Sequence, residues 1–390
     1  MIELDHNATT RPTSAVRRAV QDALESTWHN PSSLHRGGQL ARHTLELARA
    51  SLASLLHAHP RDLTLTASGT EAIDLAIRGS LNAARKKSHT TPTLLTSHAE
   101  HAAVRDLAHA LDRQGLANAR YAAVSRSGLV DLDDLRRLAN GASLISIQWV
   151  NNETGVIQPV ADIARVARAA GALFHGDATQ WVGKMPTDTA DPALPFDLLT
   201  FAPHKFHGPK GVGVLWARRG VPLAPTILGT QEASRRGGTE NLPGIAGAGV
   251  AAREALAWLA DPQHRLDLER LRNRLESLVL AACPGAVVNG LDAPRIWNTS
   301  SIAFPRLEAE AILIALSEAG LNASAGAACS SGSLEPSPVL LAMGIPRELA
   351  HGTVRFSLSR ETSPQDIDDA AGIIARVVNR LRDSMAGLAG

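Results

Sequence analysis

The chain has 390 residues, 44% of them hydrophobic and 20% charged, enough for a full core and too many for one minimal domain, so a disordered chain is excluded. Its 39 Lys+Arg against 38 Asp+Glu leave a formal charge of +1, which excludes a global field that gathers nucleic acid in bulk or an anionic membrane surface. Two cysteines, Cys283 and Cys329, exclude a disulfide framework and any multi-thiolate zinc or iron–sulfur site within one chain.

In chain order, helices are predicted over 14–27 and 37–57, where apolar residues recur at helical spacing. From residue 63 the text changes to short apolar runs that end in small or polar residues: 63–66, 93–97, 119–124, 143–150, 173–175, 198–201 and 213–216. Helical stretches lie between most of them. That alternation predicts an α/β chain with a mostly parallel sheet flanked by helices, in which ligands bind beyond the carboxyl ends of the strands. Near Pro243 the pattern shifts. An Ala-rich helix over 244–260 ends at Asp261-Pro262, and Leu268, Leu271, Leu275 and Leu278 mark an amphipathic helix. Short strands at 287–289, 299–304 and 353–359 and helices at 309–319 and 365–384 complete a smaller α+β C-terminal domain. The segment 322–333 carries almost only tiny side chains around Cys329 and is expected to be a mobile loop. Cys283, at the end of an apolar helix, reads as a small buried hydrophobe. No stretch reaches the ~18 apolar residues of a membrane span. Met1–Asp5 lacks an apolar run, so no signal peptide is read and a reducing, cytoplasmic setting is expected.

The polar texts that end these runs carry the candidate chemistry. After 198–201 comes Ala202-Pro203-His204-Lys205, followed by Lys210. A lysine at a strand end is either solvated or a desolvated, nucleophilic amine suited to a Schiff base. Asp177, in His175-Gly176-Asp177-Ala178-Thr179-Gln180, is either a helix cap or the carboxylate that keeps a pyridine nitrogen protonated. Thr66-Ala67-Ser68-Gly69-Thr70-Glu71 is an ordinary capped helix start or a phosphate cradle. His98 and His101 are three apart, but no further Cys or His lies nearby in sequence, so no metal is expected and a ring-stacking role is weighed instead. Asn151-Asn152-Glu153 follows the run 143–150. Arg355, inside a strand, suits a carboxylate.

Together with Leu4-Asp5-His6-Asn7-Ala8-Thr9-Thr10, Asn30-Pro31-Ser32-Ser33, Arg236-Gly237-Gly238-Thr239-Glu240-Asn241 and Ala328-Cys329-Ser330-Ser331-Gly332, these texts resemble, in order over nearly the whole chain, the cysteine desulfurases of the NifS/IscS type. Those are pyridoxal-phosphate enzymes of fold type I in the class V aminotransferase group. The resemblance implies a large cofactor-binding domain at 13–255, and a small domain from 1–12 and 256–390 that carries the catalytic loop at about 322–338. It implies sulfur removal from L-cysteine, giving L-alanine and a persulfide on Cys329, passed to an acceptor protein. The pathway is left open among iron–sulfur assembly, tRNA or cofactor thiolation and DNA phosphorothioation. It implies that Lys205 carries the cofactor and moves protons, Asp177 faces the pyridine nitrogen and His101 stacks on the ring. Gln180 and Asn152 serve the phenolic oxygen side, with Asn152 also near the substrate carboxylate. Gly69, Thr70 and His204 hold the phosphate, Thr239 completes the neighbour's phosphate site in a homodimer, and Arg355 clamps the substrate carboxylate. One departure stands out: Ala202 occupies a position where the family usually has a phosphate-binding serine. The rivals weighed are a selenocysteine lyase or another class V aminotransferase-like enzyme, and a non-catalytic sulfur-assembly module.

Overall fold

The computed structural model describes residues 1–194, 196–326 and 335–389, with only the backbone of 385–389. The strands, in chain order, are β1 (Ile2–Glu3), β2 (Leu63–Thr66), β3 (Thr93–Ser97), β4 (Asn118–Ala122), β5 (Leu144–Ser146) and β6 (Leu173–Asp177). They continue with β7 (Leu198–Phe201), β8 (Gly213–Ala217), β9 (Val287–Val288), β10 (Thr299–Ala303), β11 (Leu321–Asn322) and β12 (Thr353–Ser357). A seven-stranded sheet runs in the order β2-β8-β7-β6-β5-β3-β4. Strands β3 to β7 pair in parallel, and β8 runs antiparallel to both β7 and β2. The mostly parallel sheet read from the alternation is therefore present. Its central strands are buried at almost every position because helices cover both faces.

The run 143–150 is strand only over Leu144–Ser146. Beyond Ser146 the backbone still bonds β6, with Ile147 N donating to His175 O at 3.1 Å and Trp149 N to Asp177 O at 2.8 Å. On the other side Gln148 N donates to the Glu100 carboxylate at 2.9 Å. A side chain has taken the place of a strand, which ends the ladder where the cavity begins.

Helices Ser14–Ser26 and Arg36–Ser54 pack on Leu242–Leu259. The approach is close: a Cβ at Gly249 would lie 2.7 Å from Ala48 Cα, so only glycine fits. A separate antiparallel sheet, β12-β10-β9, lies in the C-terminal part, and β1 pairs in parallel with β11. Cys283 ends the helix Pro262–Ala282, is fully buried, and its thiol pKa is pushed up by burial, in keeping with a packing role. Among the described residues, no helix is long and apolar enough to cross a membrane.

Candidate active site at the carboxyl ends of the strands

The carboxyl ends of β2, β3, β6 and β7 surround one cavity of about 460 Å³. Lys205 reaches it from a single turn after β7, and its Nζ donates to the carbonyls of Asn7 at 2.7 Å and Ala8 at 2.9 Å. Lys210, the other lysine of that text, is exposed. Asp177 ends β6 and borders the cavity, with its Oδ1 accepting from Thr179 N at 3.0 Å. Behind it His175 is clamped between Ser146 Oγ at 2.8 Å and Thr200 Oγ1 at 3.0 Å, and burial pulls its pKa down to about 4.

His101 caps the helix Ala102–Arg113, and its Nδ1 accepts from Ala103 N at 3.1 Å. The neutral ring therefore carries its hydrogen on Nε2. Burial lowers its pKa, with Lys205 assisting and Asp177 opposing.

The text 66–71 opens the helix Gly69–Ser88. Ser68 Oγ accepts from Glu71 N at 3.1 Å, and Glu71 reaches back to Ala67 N at 2.9 Å, a reciprocal cap that leaves the N–H groups of Gly69 and Thr70 at the cavity wall. Arg236 holds Glu71 in turn at 2.6 Å. A Cβ at Gly213 would lie 2.0 Å from Ser68 O, so glycine beneath this turn is required. His204 contacts Thr9 Oγ1 at 3.2 Å, and burial brings its pKa down to about 3.

Asn152 and Arg355 close the far side. Arg355 Nη2 bonds Asp5 at 2.7 Å, and Nη1 donates to the carbonyls of Gly326 at 2.9 Å and Asn152 at 3.1 Å. Among the described residues, Asn152 Oδ1 and Arg355 Nε are buried without a hydrogen-bond partner. Gly326 and Pro338, on either side of the Cys329 text, both border the cavity. Cys329 itself, with the rest of 327–334, lies outside the described residues. Thr239 is exposed and borders no part of this chain's cavity.

Several residues at the site were given no role from the sequence, four of them charged or polar groups. Asn7, Glu100 and Arg105 border the cavity, and Lys184 is buried behind Gln180. Glu100 and Asn7 stand inside texts already singled out, so adjacency was their signal. Lys184 is four positions past Gln180, a spacing that suggested nothing without the turn geometry.

Burial pushes the Glu100 carboxyl from 4.5 up to about 8, with Asp177 adding to the effect. The folded chain thus holds this proton more tightly than the unfolded chain. The associated stability is complete below about pH 4.5 and is lost as pH rises through about 8. Glu100→Gln is expected to flatten the decline in melting temperature of the cofactor-free protein across that window. An unchanged slope would remove Glu100 as its source.

The family model for aminotransferase class-V matches residues 2–369. The chain belongs to the class-V aminotransferase family. It is 42% identical over 385 residues to a cysteine desulfurase of Nostoc sp., covering 98% of this chain and 94% of that relative. It is 41% identical over 385 residues to the cysteine desulfurase NifS of Azotobacter vinelandii, with the same coverage of 98% and 94%. The solved structure of a NifS-like protein superposes with a TM-score of 0.88 at 32% identity, covering 97% of this chain and 99% of that one. The structure described as SspA in complex with cysteine gives a TM-score of 0.79 at 28% identity, covering 93% and 100%.

Class-V family members of this type use pyridoxal phosphate, and the cavity of this member fits that group. It offers an amine, a carboxylate, a helix start at its wall and, among the described residues, the unpartnered Asn152 Oδ1.

Proposed function

We propose that this class-V family member is a pyridoxal-phosphate-dependent cysteine desulfurase that converts L-cysteine to L-alanine and leaves the sulfur as a persulfide on Cys329, for transfer to an acceptor protein. The observation that carries this is the meeting of Lys205, Asp177 and Arg355 around one cavity whose rim includes both flanks of the Cys329 text. When bound, pyridoxal phosphate supplies an electron sink for charge that develops at the substrate's α-carbon.

The chain's own residues do the rest. Gly69, Thr70 and His204 bind the phosphate, the first two through N–H groups at a helix start. Asp177 would pair with the pyridine nitrogen, and His101, with its Nε2–H available, would stack on the ring. Gln180 and Asn152 serve the phenolic oxygen side. Arg355 receives the substrate carboxylate beside Asn152, its Nε still lacking a partner among the described residues. Lys205 carries the cofactor and then moves the α-proton. The Cys329 thiolate attacks the substrate sulfur: an S–S bond forms, the C–S bond breaks, and its electron pair returns to carbon, which takes up a proton to become alanine.

The test is alanine and sulfide release from L-cysteine with a thiol reductant. The two products are expected in equal amounts, and alanine without sulfide would reject the reading.

We also propose that 13–255 form the large unit and that 1–12 with 256–390 form the small one. The pairing of β1 with β11 supports this. A homodimer is proposed as the active unit, with Thr239 reaching the partner's phosphate site. Trp28 at 66%, Leu34 at 91% and Leu228 at 84% exposure are large apolar side chains left to cover. Sedimentation at monomer mass would count against it. A cytoplasmic setting accompanies the reading, checked by cell fractionation.

Ala202 sits beside the phosphate cradle, its Cβ 3.4 Å from where a Gly69 Cβ would be. A hydrogen bond to a charged group contributes roughly 1.5–3 kcal/mol. Ala202→Ser is therefore expected to lower the cofactor's dissociation constant by ~10-fold or more. Equilibrium dialysis showing no change would defeat the idea that Ala202 weakens cofactor retention.

A further inference from the structure

Lys184 is 4% exposed, and lysine is almost never so buried without a paired charge. Its hydrogen-bond acceptors are two carboxamide oxygens: Gln180 Oε1 at 2.5 Å and Asn7 Oδ1 at 3.1 Å. Both belong to residues that border the cavity.

A carboxamide presents an oxygen on one edge and an NH2 on the other, and its surroundings decide which way it turns. Lysine can only donate. With Lys184 holding Gln180 Oε1, the NH2 edge must face the other way, and it does: Gln180 Nε2 donates to Asn7 O at 3.1 Å. Asn7 is oriented by the same contact. Its Oδ1 also receives Asn298 Nδ2 at 2.9 Å, and its Nδ2 donates to Asn152 O at 3.1 Å and to Thr299 Oγ1 at 2.9 Å.

We propose that Lys184 is a positioning residue that, with Asn7, locks the Gln180 carboxamide with its NH2 edge toward the cofactor's phenolic oxygen. The proposal rests on the reading that the cavity takes pyridoxal phosphate. It also accounts for the burial of a lysine that has no acidic partner among the described residues. The charged and titratable groups that act on Lys184 are Lys205 and Arg355, and Lys184 acts in turn on His6 and His204. Burial, then Lys205 and Arg355, lower its pKa well below 10.5. A neutral amine still has two N–H groups for its two acceptors, so the lock does not depend on charge.

The test uses the holoenzyme and reads the pH midpoint of the bound cofactor's visible absorbance. A donor to the phenolic oxygen weakens that oxygen's hold on the neighbouring proton, so its loss raises the midpoint. Gln180→Leu and Lys184→Met are each expected to raise it by ~1 pH unit. The double variant is expected to add nothing further, because both changes remove the same donor. A wild-type midpoint in Lys184→Met, or a fully additive double variant, overturns the proposal. If Lys184→Met does not fold, Asn7→Ala removes the second anchor and is expected to raise the midpoint too; a wild-type midpoint there overturns it equally. A wild-type protein that develops no absorbance with pyridoxal phosphate would instead defeat the cofactor reading.

Discussion

Lys205→Ala is expected to lose alanine and sulfide release together, by roughly 10³-fold or more, while the chain still folds. The side chain stands at the junction of every proposed function of the site. It follows β7 directly, opposite Asp177 at the end of β6, and its amine lies within hydrogen-bond reach of the N-terminal segment at Asn7 and Ala8. No described lysine is placed to replace it, since Lys210 is exposed and Lys184 is held by Gln180 and Asn7. Folding should persist because Lys205 is only half-buried, and Asn7 O keeps a second donor in Gln180 Nε2. Product assays with far-ultraviolet dichroism check both halves. A folded variant with more than about a hundredth of wild-type turnover would assign the α-proton to another base.

The fold was legible where short runs of leucine and threonine end in small or polar residues. Leu63–Thr66, Thr93–Ser97 and Leu198–Phe201 are strands over the predicted residues, because burial on both faces leaves no competing pattern. It was less legible at 143–150, where an apolar run keeps its text but loses its strand partner to Glu100. A glutamate carboxylate taking a backbone N–H leaves no mark on hydrophobic periodicity. Strand-end position was enough to bring Lys205, Asp177 and Gly69 to the cavity wall. It was not legible where a residue acts through side-chain hydrogen bonds across the fold. Asn7 meets Lys184 across 177 positions of sequence and Asn298 across 291, and no local spacing encodes either contact. The buried carboxylate of Glu153 is similar: it receives Ser337 Oγ at 2.5 Å, and a Cβ at Gly326 would come within 2.8 Å of its Oε2. It thus bonds one flank of the Cys329 text, 184 positions later in the chain, and stands close to the other, and only the folded chain brings these together.

Cys329→Ala is expected to divide the reaction rather than weaken it. Lys205, Asp177 and Arg355 take their positions from β7, β6 and β12 and bond the backbone or side chains of Asn7, Thr179 and Asp5. The variant should therefore bind pyridoxal phosphate with an unchanged visible absorbance and should still exchange the α-proton of L-cysteine with solvent deuterium. Sulfide release should fall to background, because the C–S bond breaks only when a nucleophile takes the sulfur. Cys283 offers no substitute. Its thiol is fully buried at a helix end, and burial raises its pKa, which lowers the thiolate fraction on which attack depends. Two measurements on one sample, deuterium incorporation and sulfide, separate the steps. Exchange without sulfide is the expected pattern. Sulfide at the wild-type rate would falsify the assignment of Cys329 as the sulfur carrier, whereas loss of both exchange and absorbance would show that the Cys329 segment helps to build the cofactor site itself.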